Sequence, residues 1–160
     1  MKLNLGCGAD VRQQGYINID LKPNQQHSPE VYRQGDARSL DWLCENQTVE
    51  EILAMHVLNY MPVAQVPLSL KNWIDKLCNN GVLKVSVPDV NALAKMFAND
   101  QLSTREFVTS VFGTQQDEDI CRSAMDATLL IKILEEYGLI VKTKRYDGIM
   151  FYVEAEKVSE

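Results

Sequence analysis

Residues 3–8, Leu-Asn-Leu-Gly-Cys-Gly, and residues 16–20, Tyr-Ile-Asn-Ile-Asp, decide the fold of this chain. A short apolar strand runs into a loop with glycine at alternate positions, and a second apolar strand ends in a carboxylate. Because glycine has no Cβ atom, the backbone at Gly6 and Gly8 can turn sharply and come close to a ligand. The carboxylate of Asp20 can accept hydrogen bonds from both hydroxyls of a ribose. Together the two stretches predict a cofactor that contains a nucleoside.

Further along the chain, strand and helix patterns follow one another. Residues 52–55 form a continuous apolar run, the pattern of a strand buried on both faces, and deliver His56 to the carboxyl end of the sheet. A helical period follows and is expected to end at residues 79–81, before a strand over residues 82–87. The predicted helix N-caps are Asp89, Ser103 with Glu106 as a capping box, and Asp126.

The connection between the first two strands is short. A parallel crossover usually takes about a dozen residues and carries a helix. Either the first helix shrinks to a turn near residues 9–11, or the two strands are not parallel. At the other end, residues 139–146 and 149–155 are β-patterned and joined by Asp147-Gly148, which predicts an antiparallel hairpin.

Composition narrows the class of protein. The 160 residues predict one domain, residues 1–160, and the net charge of −6 makes nucleic acid an improbable substrate. No apolar run is long enough to span a membrane, and Met1 leads directly into a strand, so we expect no signal peptide and a cytoplasmic protein. The four cysteines have no metal-type spacing, which predicts reduced thiols and no structural metal. Monomer and homodimer both remain open.

Several motifs also carry a resemblance. Leu5-Gly6-Cys7-Gly8, Ile19-Asp20, Gly35-Asp36-Ala37-Arg38 and Met55-His56-Val57-Leu58 resemble the successive cofactor motifs of the class I S-adenosylmethionine-dependent methyltransferases. The whole chain is similar to short predicted methyltransferases associated with sugar modification, including at residues 83–89 and Phe112-Gly113. The resemblance implies an α/β fold: a Rossmann-like, mostly parallel twisted sheet with helices on both faces, an abbreviated first helix and a C-terminal antiparallel hairpin. It also implies methyl transfer to a small-molecule or glycan-like acceptor, with S-adenosylhomocysteine as product.

The resemblance assigns residues to the site. Asp36 would accept from the adenine amine, and the alternative is that it caps a helix through Leu40 and Leu43. His56 would bind the methionine end of the cofactor or orient the acceptor, and the alternative is a histidine satisfied at a strand end. Catalysis would involve His56 and Tyr60. The expected cofactor-binding residues are Leu5, Gly6, Cys7, Gly8, Asp20, Leu21, Asp36, Ala37 and His56.

Two departures from the family pattern favour an alternative function. The family continues after its histidine with Val-Leu-Glu-His, whereas this chain has Asn59 and Tyr60, and Cys121 stands where the family tends to have a histidine. Both changes remove ionisable groups from the expected acceptor side. A catalytically silent module that binds the cofactor, or associates with a protein, is therefore the alternative. A nicotinamide-dependent oxidoreductase is disfavoured because the glycine loop lacks the third glycine of the dinucleotide fingerprint.

Three further stretches have predicted roles. Residues 101–125 are expected to form a mobile cover over the acceptor side, because part of the segment is too polar for a core, and the alternative is an exposed surface loop. Its helix, with Phe107, Val111 and Phe112, is expected to pack into the core. A basic cluster of Lys142, Lys144 and Arg145 is interpreted as a solvated face that protects a sheet edge, and the alternative is an anion site.

Overall fold

The computed structural model describes residues 1–12, 15–22, 26–116 and 119–158. Their strands form one seven-stranded sheet in the order β3-β2-β1-β4-β5-β7-β6. The strands are β1 (Lys2–Leu5), β2 (Tyr16–Asp20), β3 (Tyr32–Gln34), β4 (Val49–Met55), β5 (Leu77–Pro88), β6 (Leu139–Asp147) and β7 (Met150–Lys157). The helices are α1 (Val66–Lys76), α2 (Val90–Ala98), α3 (Thr104–Phe112) and α4 (Ala127–Glu136), with a 3-10 turn over Leu58–Tyr60.

Strand directions place the predicted site at one edge of the sheet. Strands β1 to β5 pair parallel to one another, so the ends of β1, β2 and β4 at Leu5, Asp20 and Met55 meet at the same edge. The pairing of β1 with β2 confirms the parallel alternative, and residues 6–12 of the connection form turns rather than a helix. The C-terminal hairpin is also confirmed, because β6 and β7 are antiparallel and Gly148 has a φ of 57°.

The hydrophobic core lies on one face of the sheet, here called the first face. Leu3, Ile52 and Leu83 are register neighbours with side chains fully buried there. Trp73 of α1 and Leu134 of α4 belong to the same cluster, so both helices cover this face. Burying a large apolar side chain stabilises a fold by roughly 1.5–3 kcal/mol, and this layer therefore supplies most of the stability.

The opposite, second face differs from the expectation of helices on both faces. Its register neighbours Asn4, Leu53 and Lys84 alternate with the core residues, and most positions on it are polar. Helices α1 and α4 pack on the first face, while α2 and α3 pack on each other beyond the end of β5. In doubly wound folds the crossovers after β1 and β2 carry the helices of this face. Their described residues, 6–12 and 26–31, contain no helix.

Helix ends follow the predicted capping chemistry, with exceptions. Asp89, Ser103 and Asp126 each cap a helix, and Glu106 completes the capping box. The predicted helix end at residues 79–81 is wrong, because α1 ends at Lys76 and β5 already begins at Leu77. The polar Asn-Asn-Gly stretch lies instead where the pairing of β4 with β5 shifts register.

The expectation that α3 packs into the core is also wrong. The helix buries none of its residues, and Phe112 is 52% exposed. Phe107 is half-buried and stacks on Phe97 of α2 with ring centroids 4.7 Å apart. Helix α3 therefore rests on α2 rather than on the sheet.

Candidate cofactor site

Residues 6–8, here called the glycine loop, follow directly from β1. Gly6 and Gly8 have φ values of 59° and 50°, in the left-handed region that favours glycine. A Cβ atom on Gly6 would lie 2.7 Å from Cγ2 of Val57, so this glycine lets the loop pack against the chain leaving β4. A Cβ atom on Gly8 would meet nothing within 4 Å. The backbone at Gly8 therefore faces open space, so a ligand can come close to it.

Asp20 ties the glycine loop to the end of β2. Its Oδ2 atom accepts a hydrogen bond from the Gly8 amide at 2.8 Å, and its Oδ1 atom accepts from the Lys22 amide at 3.2 Å. The Cys7 amide donates to the Ile19 carbonyl at 3.1 Å, one residue away. An ionised carboxylate has about four acceptor positions, so Asp20 keeps capacity for ribose hydroxyls beside the loop.

Asp36 lies next to Asp20 across the ends of β2 and β3. The Gly35 amide donates to the Asp20 carbonyl at 2.9 Å. Hydrogen bonds from the Arg38 side chain hold the pKa of Asp36 below its usual value, and the Arg38 amide donates to the same carboxylate at 2.9 Å. The alternative of a helix capped by Asp36 is wrong, because residues 37–43 form turns. The acid is therefore ionised and lies at the sheet edge.

Two tryptophans fix this segment. The Trp42 indole donates to the Asp36 carbonyl at 3.1 Å, and its ring packs so closely on Gly35 that no Cβ atom would fit there. The Trp73 indole donates to the Ala37 carbonyl at 2.7 Å. Trp42 is 47% exposed, whereas Trp73 lies in the core. Sequence reasoning did not identify Trp42, although its place soon after the Gly-Asp-Ala motif was a usable signal.

The remaining predicted cofactor residues differ in what they can contribute. Leu5 is fully buried in the core, so its side chain is unavailable to a ligand. Leu21 follows Asp20 and is 63% exposed. Its side chain therefore presents an apolar surface to a ligand at this edge of the sheet. Burial, with Asp20 nearby, raises the pKa of the Cys7 thiol to about 11. Cys7 is therefore a neutral, buried packing residue.

His56 follows directly after β4 in a strained conformation. Its φ is 58°, which costs a non-glycine residue about 1–3 kcal/mol and is most frequent at functional sites. The His56 amide donates to the Ser86 carbonyl at 3.1 Å. Although the residue as a whole is exposed, partial burial of the imidazole lowers the pKa of His56. A neutral imidazole offers one donor and one acceptor at the sheet edge.

Asn59 and Cys121, which both depart from the pattern of the resembled family, contact each other. The Asn59 amide nitrogen lies 3.3 Å from the Cys121 sulfur, and Asn59 Oδ1 is buried with no hydrogen-bond partner among the described residues. The Tyr60 hydroxyl donates to Asp119 Oδ1 at 3.0 Å, and burial, with this bond, raises the pKa of Tyr60 to about 12. Both Asn59 and Tyr60 therefore face the 101–125 segment rather than the glycine loop.

Other predicted features can also be located. Strand β6 is a sheet edge, as predicted, with Lys142 3.3 Å from Glu156. All four cysteines are free thiols. Within the described ranges no group of three histidine, cysteine or carboxylate side chains could hold a metal ion.

None of the helices in the described part of the chain combines the length and apolarity that crossing a bilayer requires.

No family model and no curated protein matches this chain. Solved structures do match, over nearly its full length. An S-adenosylmethionine-dependent methyltransferase from Methanosarcina mazei shares 14% identity, with a TM-score of 0.69 over 99% of this chain and 92% of that one. A 1,6-didemethyltoxoflavin-N1-methyltransferase from Burkholderia thailandensis, solved with S-adenosylhomocysteine, shares 11% identity, with a TM-score of 0.66 over 99% and 71%.

An O-methyltransferase family protein from Burkholderia thailandensis also matches, at 11% identity and a TM-score of 0.67, and the chain spans 51% of its length. Likeness at such identities shows the fold alone. The mostly parallel sheet, the glycine loop at its edge and the terminal hairpin define the fold of the S-adenosylmethionine-dependent methyltransferases.

Proposed function

We propose that this chain binds S-adenosylmethionine in a cradle of Gly6, Gly8, Asp20 and Asp36, and methylates a small-molecule or glycan-like acceptor. The observation that carries the proposal is the 2.8 Å bond from Gly8 to Asp20 beside a glycine whose missing Cβ faces open space. Backbone that a ligand can approach and a carboxylate that can accept from a diol then lie side by side. The resemblance to methyltransferases of sugar modification supports the acceptor class.

The two acids of the cradle and the neighbouring Leu21 would hold different parts of the cofactor. Asp20 would accept from the ribose hydroxyls, Asp36 from the adenine amine, and Leu21 would cover an apolar face of the base. The cofactor supplies an electrophilic methyl group on a sulfonium. Alignment of the acceptor then supplies much of the rate, so the chain needs no nucleophile of its own.

His56 and Tyr60 are the groups proposed to act on the acceptor side. The lowered pKa of His56 keeps its imidazole neutral near pH 7, so it can accept a proton from an acceptor hydroxyl. The raised pKa of Tyr60 keeps its phenol protonated, so Tyr60 does not act as a base. Its one hydrogen is donated to Asp119, and its oxygen can still accept a hydrogen bond from an acceptor group. Only His56 therefore has the chemistry of a base.

A silent cofactor-binding module is the second candidate function. The contact between Asn59 and Cys121 favours it, because an amide and a thiol meet where the family that the sequence resembles has a glutamate and a histidine. Incubation with S-adenosylmethionine and a panel of hydroxyl, amine and carboxylate acceptors separates the two. Acceptor-dependent formation of S-adenosylhomocysteine supports the enzyme. Tight cofactor binding without turnover on any acceptor supports the silent module.

Trp42 provides a direct test of the adenine assignment. Its indole bonds to the Asp36 carbonyl, so a base bound beside Asp36 should change its emission. Titration with S-adenosylhomocysteine is expected to quench tryptophan fluorescence severalfold more in the native chain than in Trp42→Phe. Calorimetry on both proteins supplies the control for binding. Equal fluorescence changes in two proteins that both bind would show that the base does not lie beside Asp36.

We also propose that residues 101–125 cover the acceptor side. The segment is attached to the 3-10 turn beside His56, since the Arg122 and Ser123 amides donate to the Asn59 carbonyl at 2.7 and 3.1 Å. The Ser123 hydroxyl adds a buried bond of 2.8 Å to the Leu58 carbonyl. These hydrogen bonds hold only the C-terminal part of residues 101–125. Helix α3, in the N-terminal part, buries none of its residues. Residues 117 and 118 lie outside the described ranges.

Limited proteolysis with trypsin tests whether residues 101–125 cover the site. Arg105 and Arg122 are both exposed, and cleavage there requires local opening. Saturating S-adenosylhomocysteine is expected to slow cleavage at these two sites severalfold more than cleavage between Lys142 and Arg145 on the edge strand. Ser123→Ala should accelerate cleavage after Arg122 by loosening the attachment. Equal protection at the cover and the edge strand, with the ligand bound, would contradict a cover that responds to the site.

A further inference from the structure

A pocket of about 420 Å³ opens on the second face of the sheet. It extends along β4, β5 and β7 from Glu51 to His56, and no described helical residue lines it. Of the predicted site residues, it contains only His56. The pocket is therefore a feature separate from the glycine loop, on the face that lacks a helical layer.

Ser86 lies at the floor of this pocket. The residue is 0% exposed, and its hydroxyl has no hydrogen-bond partner among the described residues. An unsatisfied buried hydroxyl is costly, so such a group in a pocket lining points to a ligand partner. Its register neighbours Met55 and Tyr152 provide apolar and aromatic surface on either side.

Of the three cations that line the pocket, one lacks a carboxylate partner among the described residues. Lys84 lies 3.0 Å from Glu51 and 3.9 Å from Glu154, and Arg12 lies 2.7 Å from Asp10. Arg145 stacks on the Tyr152 ring, with its guanidinium carbon 4.6 Å from the centroid, and has no acidic partner among the described residues. The guanidinium of Arg145 is thus the lining cation that is left to pair with a carboxylate on a ligand.

The remaining polar side chains of the pocket offer both hydrogen-bond donors and hydrogen-bond acceptors. The Ser86 hydroxyl and the neutral His56 imidazole have both capacities, and Glu51, which already accepts from Tyr16 and Lys84, adds carboxylate oxygens. Hydroxyl groups on a ligand would match such a mixed surface, while Leu53 and Met55 would contact its C–H faces. A guanidinium pairs with a carboxylate through two parallel hydrogen bonds.

We propose that this pocket is a binding site for a small hydroxylated carboxylate, with the carboxylate on Arg145 and a hydroxyl on Ser86. The site does not depend on the function proposed above, because neither Arg145 nor Ser86 belongs to the cofactor cradle. A sugar acid has the required combination of one negative charge, several hydroxyls and C–H faces.

The test uses the full chain without cofactor and three probes followed by calorimetry: D-glucuronate, D-glucose and acetate. D-glucuronate is expected to bind at least about tenfold more tightly than either other probe. Arg145→Gln should weaken glucuronate binding about tenfold, whereas Lys144→Gln, which removes the same charge one residue away on the other face, should not. S-adenosylhomocysteine affinity should stay unchanged in both variants.

Ser86→Ala distinguishes a ligand contact from a structural role. Removing an unpaired buried hydroxyl should leave thermal stability equal or raised. The proposal additionally expects glucuronate affinity to fall about fivefold or more, a readout that a structural role would not change. Absence of saturable glucuronate binding, equal binding of all three probes, or equal loss in Arg145→Gln and Lys144→Gln would overturn the assignment.

Discussion

Gly6→Ala is expected to destabilise the protein by roughly 2–5 kcal/mol. An alanine at a φ of 59° costs about 1–2 kcal/mol, and its Cβ atom 2.7 Å from Val57 adds an overpacking cost of about 1–3 kcal/mol. Val57 is buried and cannot move into solvent. Urea denaturation of the native and variant proteins measures the difference.

Gly8→Ala is the matched control. Its φ is similar, but the added methyl group faces open space, so only about 1–2 kcal/mol of stability should be lost. S-adenosylhomocysteine affinity should nevertheless fall at least about tenfold, because the methyl group occupies the side from which the ligand approaches. Val57→Ala combined with Gly6→Ala should recover the overpacking part. Equal destabilisation by the two glycine substitutions would contradict the packing role of Gly6.

Asp20→Ala is expected to weaken S-adenosylhomocysteine binding by roughly 2–4 kcal/mol, about 30- to 1,000-fold in Kd. The substitution removes charge-assisted hydrogen bonds to both ribose hydroxyls. It also releases the Gly8 amide, which donates to Asp20 at 2.8 Å, and so loosens the glycine loop. Calorimetric titration measures the affinity directly.

Asp20→Asn separates these two effects. The amide keeps the side-chain shape and one acceptor, so its loss of affinity should lie between those of the native chain and Asp20→Ala. Asp75→Asn, an exposed carboxylate on α1 paired with Lys71, controls for the change in net charge. Native affinity in Asp20→Ala, with the fold intact by circular dichroism, would remove Asp20 from the site.

Local chemistry in the sequence predicted much of the fold. The capping residues Asp89, Ser103 and Asp126 act on the nearest backbone amides, and Asp147-Gly148 specifies its turn within two residues. Such signals depend on neighbours in the chain, so the sequence alone carries them. The order of Gly6, Asp20 and Asp36 after three strands likewise located the candidate cofactor edge.

The second face was missed because its signal is distributed over several strands. Lys2 and Asn4, Glu51, and Lys84 and Ser86 alternate with apolar residues, which is the pattern of a sheet with one solvated face. The apolar residues 52–55 were interpreted instead as buried on both sides, although Met55 is only half-buried. Arg145 comes near Ser86 only because β6 pairs with β7 and β7 pairs with β5. That register is a property of the whole sheet.

The most direct test of the central claim is calorimetric titration of the full chain with S-adenosylmethionine, S-adenosylhomocysteine and NAD. Cofactor binding by the glycine loop, Asp20 and Asp36 predicts that both adenosyl ligands bind one per chain, and that Asp20→Ala weakens both. NAD should not bind. Binding of NAD, or absence of binding by both adenosyl ligands to a folded chain, would contradict the account.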